Sequence, residues 1–225
     1  IPYFVSDTVE DVKELMSTPV GVVRDHQFFR KVKGVTVKTA TEVIAIDRAA
    51  KTVCMRDGQT SRETTLPYDR LILATGSTPF IPQISNVNLA NVLTVKSIED
   101  AELLKSLAVP GTRACIVGGG LIGLETAEAL RHKGLQVAVV EMRDQMLPGV
   151  LDWEMAALVE KQLRQQGVTV MTGSTVTGLV GDAAVEAVQI GDVRIPADLV
   201  VLAPGVAPNV ELARGAGPEI GPTGA

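Results

Sequence analysis

The chain has 225 residues, 46% hydrophobic and 21% charged, enough for one large domain or two small ones and too apolar for a disordered tail. A net charge of −5 without a basic block, and an aromatic content of only 3%, exclude nucleic-acid binding by clustered cations or by base stacking. No apolar run approaches the roughly 18 residues of a membrane span, and Cys54 and Cys115 form neither a CxxC pair nor a disulfide framework, a usage that fits a reducing, cytoplasmic compartment.

In chain order, residues 10–31 carry mixed helical signals broken at Pro19. Alternation then predicts strands at Val35–Thr39, Glu42–Asp47 and Lys51–Arg56, a small antiparallel meander. Arg70–Ala74 reads as a short buried strand ended by Thr75-Gly76-Ser77-Thr78-Pro79, and residues 79–93 read as connector. A helix starts near Ser97, with Asp100 placed for a capping box. Pro110-Gly111 punctuates the chain, and we place the domain boundary there. Beyond it the pattern is βαβ. Strands at Ala114–Val117, Gln136–Val140 and Val168–Met171 alternate with helices at Leu121–Lys133 and Asp152–Gln166, which stop at Gly134 and Gly167. Shorter meander strands fill residues 175–195, and Asp198–Ala203 returns as a buried strand into Pro204-Gly205. Strands alternating with helices of this length imply a parallel sheet with right-handed crossovers.

The strongest chemical signal is Gly118-Gly119-Gly120-Leu121-Ile122-Gly123. It fits G-x-G-x-x-G, follows a strand and opens a helix, and Glu141 ends the next strand 23 residues after Gly118. Gly118 permits the tight turn, Gly120 lets the backbone approach a pyrophosphate, and Gly123 lets helix and strand pack closely. The helix start, with Leu121 and Ile122, offers free N–H groups to phosphates. Glu141 has the chemistry to accept hydrogen bonds from ribose hydroxyls. A 2′-phosphate beside it meets like charge, so NADH is preferred over NADPH, with Arg143 offsetting this in part.

Three segments in this order resemble the FAD-dependent pyridine nucleotide-disulfide oxidoreductases: Tyr68–Gly76, Gly118–Glu125 with Ala127-Glu128, and Asp198–Asn209. The opening Ile1-Pro2-Tyr3-Phe4 resembles the segment after the single redox cysteine of the coenzyme A-disulfide reductase and NADH oxidase subgroup. The resemblance covers almost the whole chain. It implies an α/β fold: a Rossmann-like NAD(H)-binding domain over 108–209, with a parallel sheet and a β-meander. Residues 1–107 would be part of a similar FAD-binding domain, and 210–225 the start of the return to it. It also implies a flavoprotein that passes hydride from NAD(P)H to FAD and on to a small-molecule disulfide or oxygen, as a homodimer. By the same resemblance Ala74, Thr75 and Gly76 abut FAD, the backbone at Val43 contacts the flavin adenine, Glu125 lies near the nicotinamide, Gly205 closes on NAD, and Lys33 stands near the substrate. The family's first glycine fingerprint and its redox cysteine are not in this sequence. That places no catalytic residue within the chain, puts a cysteine two positions before Ile1, and marks the chain as a piece of a longer protein. Cys54 and Cys115, within apolar strands, read as core residues, and His26 and His132 have no triad or metal pattern. Two other readings stay open: a reductase passing electrons to rubredoxin or ferredoxin, and a non-catalytic module that senses NAD(H).

Overall fold

The computed structural model describes residues 2–221. Ile1 and residues 222–225, including most of the turn-like ending expected from the sequence, lie outside the described residues. In chain order the elements are α1 (Pro2–Val5), α2 (Val12–Leu15), α3 (His26–Lys33), β1 (Thr41–Asp47), β2 (Thr52–Asp57), β3 (Glu63–Pro67), β4 (Ser77–Pro79), β5 (Val92–Thr94), α4 (Ile98–Leu107), β6 (Arg113–Val117), α5 (Leu121–His132), β7 (Gln136–Val140), α6 (Trp153–Gln165), β8 (Thr169–Met171), β9 (Gly178–Val180), β10 (Ala187–Ile190), β11 (Val193–Pro196), β12 (Leu199–Leu202), β13 (Val206–Pro208) and α7 (Glu211–Ala216). They form two compact units, residues 2–12 with 79–206 and residues 13–78 with 207–221. Residues 2–12 and 79–107, assigned from sequence to the first domain, thus group by contact with the βαβ region.

That larger unit is built on a parallel sheet in the order β5-β12-β6-β7-β8. Its strands are continuous apolar runs because both faces are covered. On one face Ile116, Val137, Val139, Leu199 and Val201 pack with Leu104 of α4 and Ala127 and Leu130 of α5. On the other, Cys115, Val140, Val200 and Leu202 pack with Leu179 and Val188 of the antiparallel meander β9-β10-β11. Burial pushes the Cys115 thiol up to about 12, so it is a core residue and no nucleophile.

Local chemistry sets the helix ends. Ser97 Oγ accepts the Asp100 N–H at 3.1 Å while Asp100 accepts the Ser97 N–H at 2.9 Å, the reciprocal box read from the sequence. Asp152 caps α6 by accepting the Met155 N–H at 3.0 Å. Gly134 and Gly167, just past α5 and α6, take left-handed φ of +83° and +78°. At the base of the sheet Asp198 accepts the Arg113 backbone N–H at 3.0 Å and its Nε at 2.8 Å, joining β6 to the start of β12. The side-chain bond from Arg113 holds the Asp198 carboxyl down at about 2.

In the smaller unit β1, β2 and β3 form an antiparallel meander, and α7 packs on β1. Two expectations are corrected here. Val35–Thr39 is not a strand; the third strand is Glu63–Pro67, paired with β2. The turn decides the pairing: Asp57 Oδ1 accepts the Gln59 and Thr60 N–H groups and the Thr60 hydroxyl, folding the chain back at once. Nor is Arg70–Ala74 a buried strand. It has no strand partner among the described residues, and Ile72 is 88% exposed. An apolar run of this kind requires neighbouring strands, and alternation or hydrophobicity alone cannot supply them.

Candidate nucleotide-binding site

The fingerprint loop joins β6 to α5, and each glycine answers to a different constraint. At Gly118, φ is +117° and a Cβ would stand 2.3 Å from the Ala203 carbonyl oxygen. At Gly123 a Cβ would stand 2.0 Å from the Gly118 carbonyl oxygen, so α5 rests directly on the loop. Around Gly120, by contrast, a Cβ would meet nothing within 4 Å. The space beside this backbone is open, as an incoming pyrophosphate requires. Gly120 is also the N-cap of α5 and offers no side-chain acceptor, which leaves the first-turn N–H groups to an anion.

Gly118, Gly120, Leu121 and Ile122 line a cleft of about 530 Å³ along the carboxyl ends of β6, β7 and β12, together with Glu141, Arg143 and Gly205. This is where an open α/β sheet binds its ligand. Glu141 is buried, only 6% exposed, and both its oxygens are engaged. Oε2 accepts the Gly119 N–H at 2.7 Å and Oε1 accepts the Arg143 N–H at 2.8 Å. The carboxylate therefore ties the end of β7 to the fingerprint loop. A carboxylate has about four lone-pair sites, so capacity for ribose hydroxyls remains.

In the smaller unit, the Ala74–Gly76 turn is exposed and held by Asn209. The Thr75 hydroxyl donates to the Asn209 carbonyl at 2.6 Å, Asn209 Nδ2 donates to the Thr75 carbonyl at 3.0 Å, and the Asn209 N–H donates to the Gly76 carbonyl at 3.0 Å. Gly76 has φ of +71°, and a Cβ there would meet nothing within 4 Å, which leaves room for a flat group against the turn.

A family profile for pyridine nucleotide-disulphide oxidoreductases matches residues 3–225. The chain belongs to this family. An NADH oxidase of Methanocaldococcus jannaschii is 38% identical over 98% of this chain and 48% of its own length. A CoA-dependent NAD(P)H sulfur oxidoreductase of Pyrococcus abyssi is 34% identical over 100% of this chain and 48% of its own. Among solved structures, the NAD-dependent persulfide reductase from A. fulgidus superposes with a TM-score of 0.90 at 41% identity, covering all of this chain and 41% of that one. The chain spans about half the length of the relatives it matches.

The remaining sequence-predicted residues have definite places. Gly123 is buried beneath the cleft rather than lining it. Glu125 is exposed one turn into α5 and lies outside the cleft lining, in a separate cavity with Pro2, Tyr3 and Glu128. Val43 is 37% exposed at a register shift in β1. Lys33 is exposed in the last turn of α3. Cys54 is half-buried on β2. His26 and His132 are exposed at the start of α3 and the end of α5. Among the described residues no group of three or more His, Cys, Asp or Glu could hold a metal ion, and no helix is long and apolar enough to cross a membrane.

Sequence reasoning missed two participants. Asn209 ends the third family-like segment but received no role, because its partners Thr75 and Gly76 are over 130 positions away. Gly119 occupies the variable position of the fingerprint. A Cβ there would stand 2.4 Å from Met146 Sδ and 3.0 Å from Glu141 Cβ. The three consecutive glycines were the available signal.

Proposed function

We propose that the chain is the dinucleotide-binding part of an NADH-dependent flavoprotein oxidoreductase. Residues 108–209 hold NADH, and residues 1–107 with 210–225 supply part of the FAD site. The observation that carries this reading is the open backbone at Gly120 facing a cleft whose edge is the buried carboxylate of Glu141. Gly120, Leu121 and Ile122 would orient the pyrophosphate, with Gly123 seating the helix behind them. Glu141 would accept from the ribose and disfavour a 2′-phosphate. Gly205 would let the backbone close against the dinucleotide, and Glu125 would lie toward the nicotinamide end. Val43 and the Ala74–Gly76 turn would hold FAD, for which the open space at Gly76 is suited. FAD, when bound, would supply the acceptor for the hydride of NADH and the source of the electron pair passed on. With a disulfide acceptor the balance is NADH, a proton and one disulfide in, NAD⁺ and two thiols out.

The names of the similar proteins support a small-molecule disulfide, persulfide or oxygen as acceptor. The thiol that handles a disulfide would stand two positions before Ile1, and Lys33 would face the substrate. The reading extends to a homodimer in a reducing, cytoplasmic compartment, on the strength of the family resemblance and the sparse, unpaired cysteines. Titration of the chain with NADH, NADPH and FAD tests it. Binding of NADH at least tenfold tighter than NADPH, with weak retention of FAD, is the expected result; tight FAD binding without NADH binding would overturn it. Sequencing the codons before Ile1 tests the thiol.

A further inference from the structure

The segment before residue 13 is fastened to the nucleotide-binding unit at one charged point. α1 is a single turn, too short to persist alone. Its inner face places Phe4 and Val5 in the core that also contains Leu104 and Leu130. Beyond it, Asp7 adopts φ of +61° and meets two lysines from different places on the unit. Lys105 of α4 and Lys133, at the end of α5, each bring Nζ to 2.6 Å of the Asp7 carboxylate, on separate oxygens. Lys105 also lies 4.3 Å from the centre of the Phe4 ring. Both lysine side chains are largely covered, 26% and 19% exposed, while the Asp7 carboxylate between them is half-exposed and partly screened by solvent.

This cluster bears on the nucleotide site because α5 is common to both. Its first turn lines the cleft, and Gly123 leaves it no slack against the fingerprint loop. Its far end supplies Lys133. Between these ends, Glu125 and Glu128 share a small cavity with Pro2 and Tyr3. We propose that Asp7 is a positioning residue: the Lys105–Asp7–Lys133 latch fixes α1 to the nucleotide-binding helix, and through α1 sets where the thiol of the reading above stands relative to the bound dinucleotide. The functional half of this statement rests on the reading above, in which the electron-accepting thiol stands just before Ile1. The two lysine hydrogen bonds hold the Asp7 carboxyl down at about 2, so the latch stays charged throughout the neutral range.

Asp7→Asn tests it. Asparagine tolerates the left-handed backbone and nearly matches the shape, so the variant removes the charge without adding strain. Lys133→Gln removes one arm and keeps the other. In the chain, amide exchange is followed at Ser6 and Val9, whose N–H groups bond the Pro2 and Tyr3 carbonyls at 2.9 and 3.0 Å. Asp7→Asn is expected to speed both amides at least tenfold, Lys133→Gln less, with the β6 and β7 amides unchanged. In the intact enzyme, Asp7→Asn should leave NADH affinity and flavin reduction by NADH within twofold while slowing turnover with a disulfide at least fivefold. Unchanged exchange at Ser6 and Val9 overturns the latch. Faster exchange with unchanged turnover, or with an equal loss in flavin reduction and turnover, overturns the positioning role. A residue other than cysteine two positions before Ile1 removes the thiol reading, and the exchange result then decides the latch alone.

Discussion

Removal of the Glu141 carboxylate is expected to damage the protein before any nucleotide arrives. In the free chain this side chain already accepts two backbone N–H groups, from Gly119 at 2.7 Å and from Arg143 at 2.8 Å. A hydrogen bond to a charged group contributes about 1.5–3 kcal/mol, so two set an upper limit of about 3–6 kcal/mol. Arg143 borders the open cleft, where water replaces part of what is lost, whereas the Gly119 donor is buried. About 2–3 kcal/mol is therefore expected for Glu141→Ala. For a protein of this size that lowers the melting midpoint by roughly 4–12 °C. Glu141→Gln should be nearly as harmful: an amide has one acceptor oxygen, and its NH₂ would face the second N–H. NADH affinity should fall roughly ten- to a hundredfold in both variants, from loss of loop order and of a ribose partner. Thermal and urea unfolding of the free chain, followed by NADH titration, separate the two effects. A variant that melts like the wild type yet loses NADH would refute the latching role assigned to Glu141; wild-type NADH affinity would refute its role toward the ribose.

Other outcomes follow from the same geometry. Gly120→Ala should leave the melting midpoint within about 2 °C and weaken NADH binding at least roughly tenfold, because the added Cβ enters only ligand space. Gly123→Ala should cost about 1–3 kcal/mol in the free protein, because it drives α5 against the Gly118 carbonyl; equal melting of the two variants would contradict this division. Asp198 is depressed in the folded chain, from 3.8 to about 2, so its stabilisation is present above about pH 4 and is lost as pH falls toward 2. Its side chain is 44% exposed, so after solvent screening the contribution is about 1 kcal/mol, and the gap in stability between wild type and Asp198→Asn should close across that window. Cys115, with its thiol pushed up to about 12, should resist alkylation at pH 8 in the native chain and react only on unfolding; rapid native labelling would show that the sheet core is open.

The sequence by itself determined the parts whose causes are local. β6, α5, β7 and α6 announced themselves through apolar runs, capping residues and terminal glycines, and all lie close to where the pattern put them. The Ser97–Asp100 box and the roles of Gly118 and Gly123 were legible for the same reason, since backbone geometry within a few residues dictates them. The tertiary structure decided whatever depends on distant partners. Arg70–Ala74 is apolar enough for a strand, yet a strand exists only beside another, and the described residues provide none. Val35–Thr39 alternates, yet it pairs with no strand among the described residues, and the third strand is added at the far edge of β2 by the Asp57 turn. The hold of Asn209 on the Ala74–Gly76 turn spans more than 130 residues, and no local pattern encodes it. Glu141 shows both sides. Spacing identified it as the acid at the end of the second strand, but only the folded chain shows one oxygen already taken by the Gly119 N–H of the fingerprint loop and the other by the Arg143 N–H. The Arg143 contact is local, two residues on, but the Gly119 contact follows from the packing of β7 against β6 and not from the order of residues.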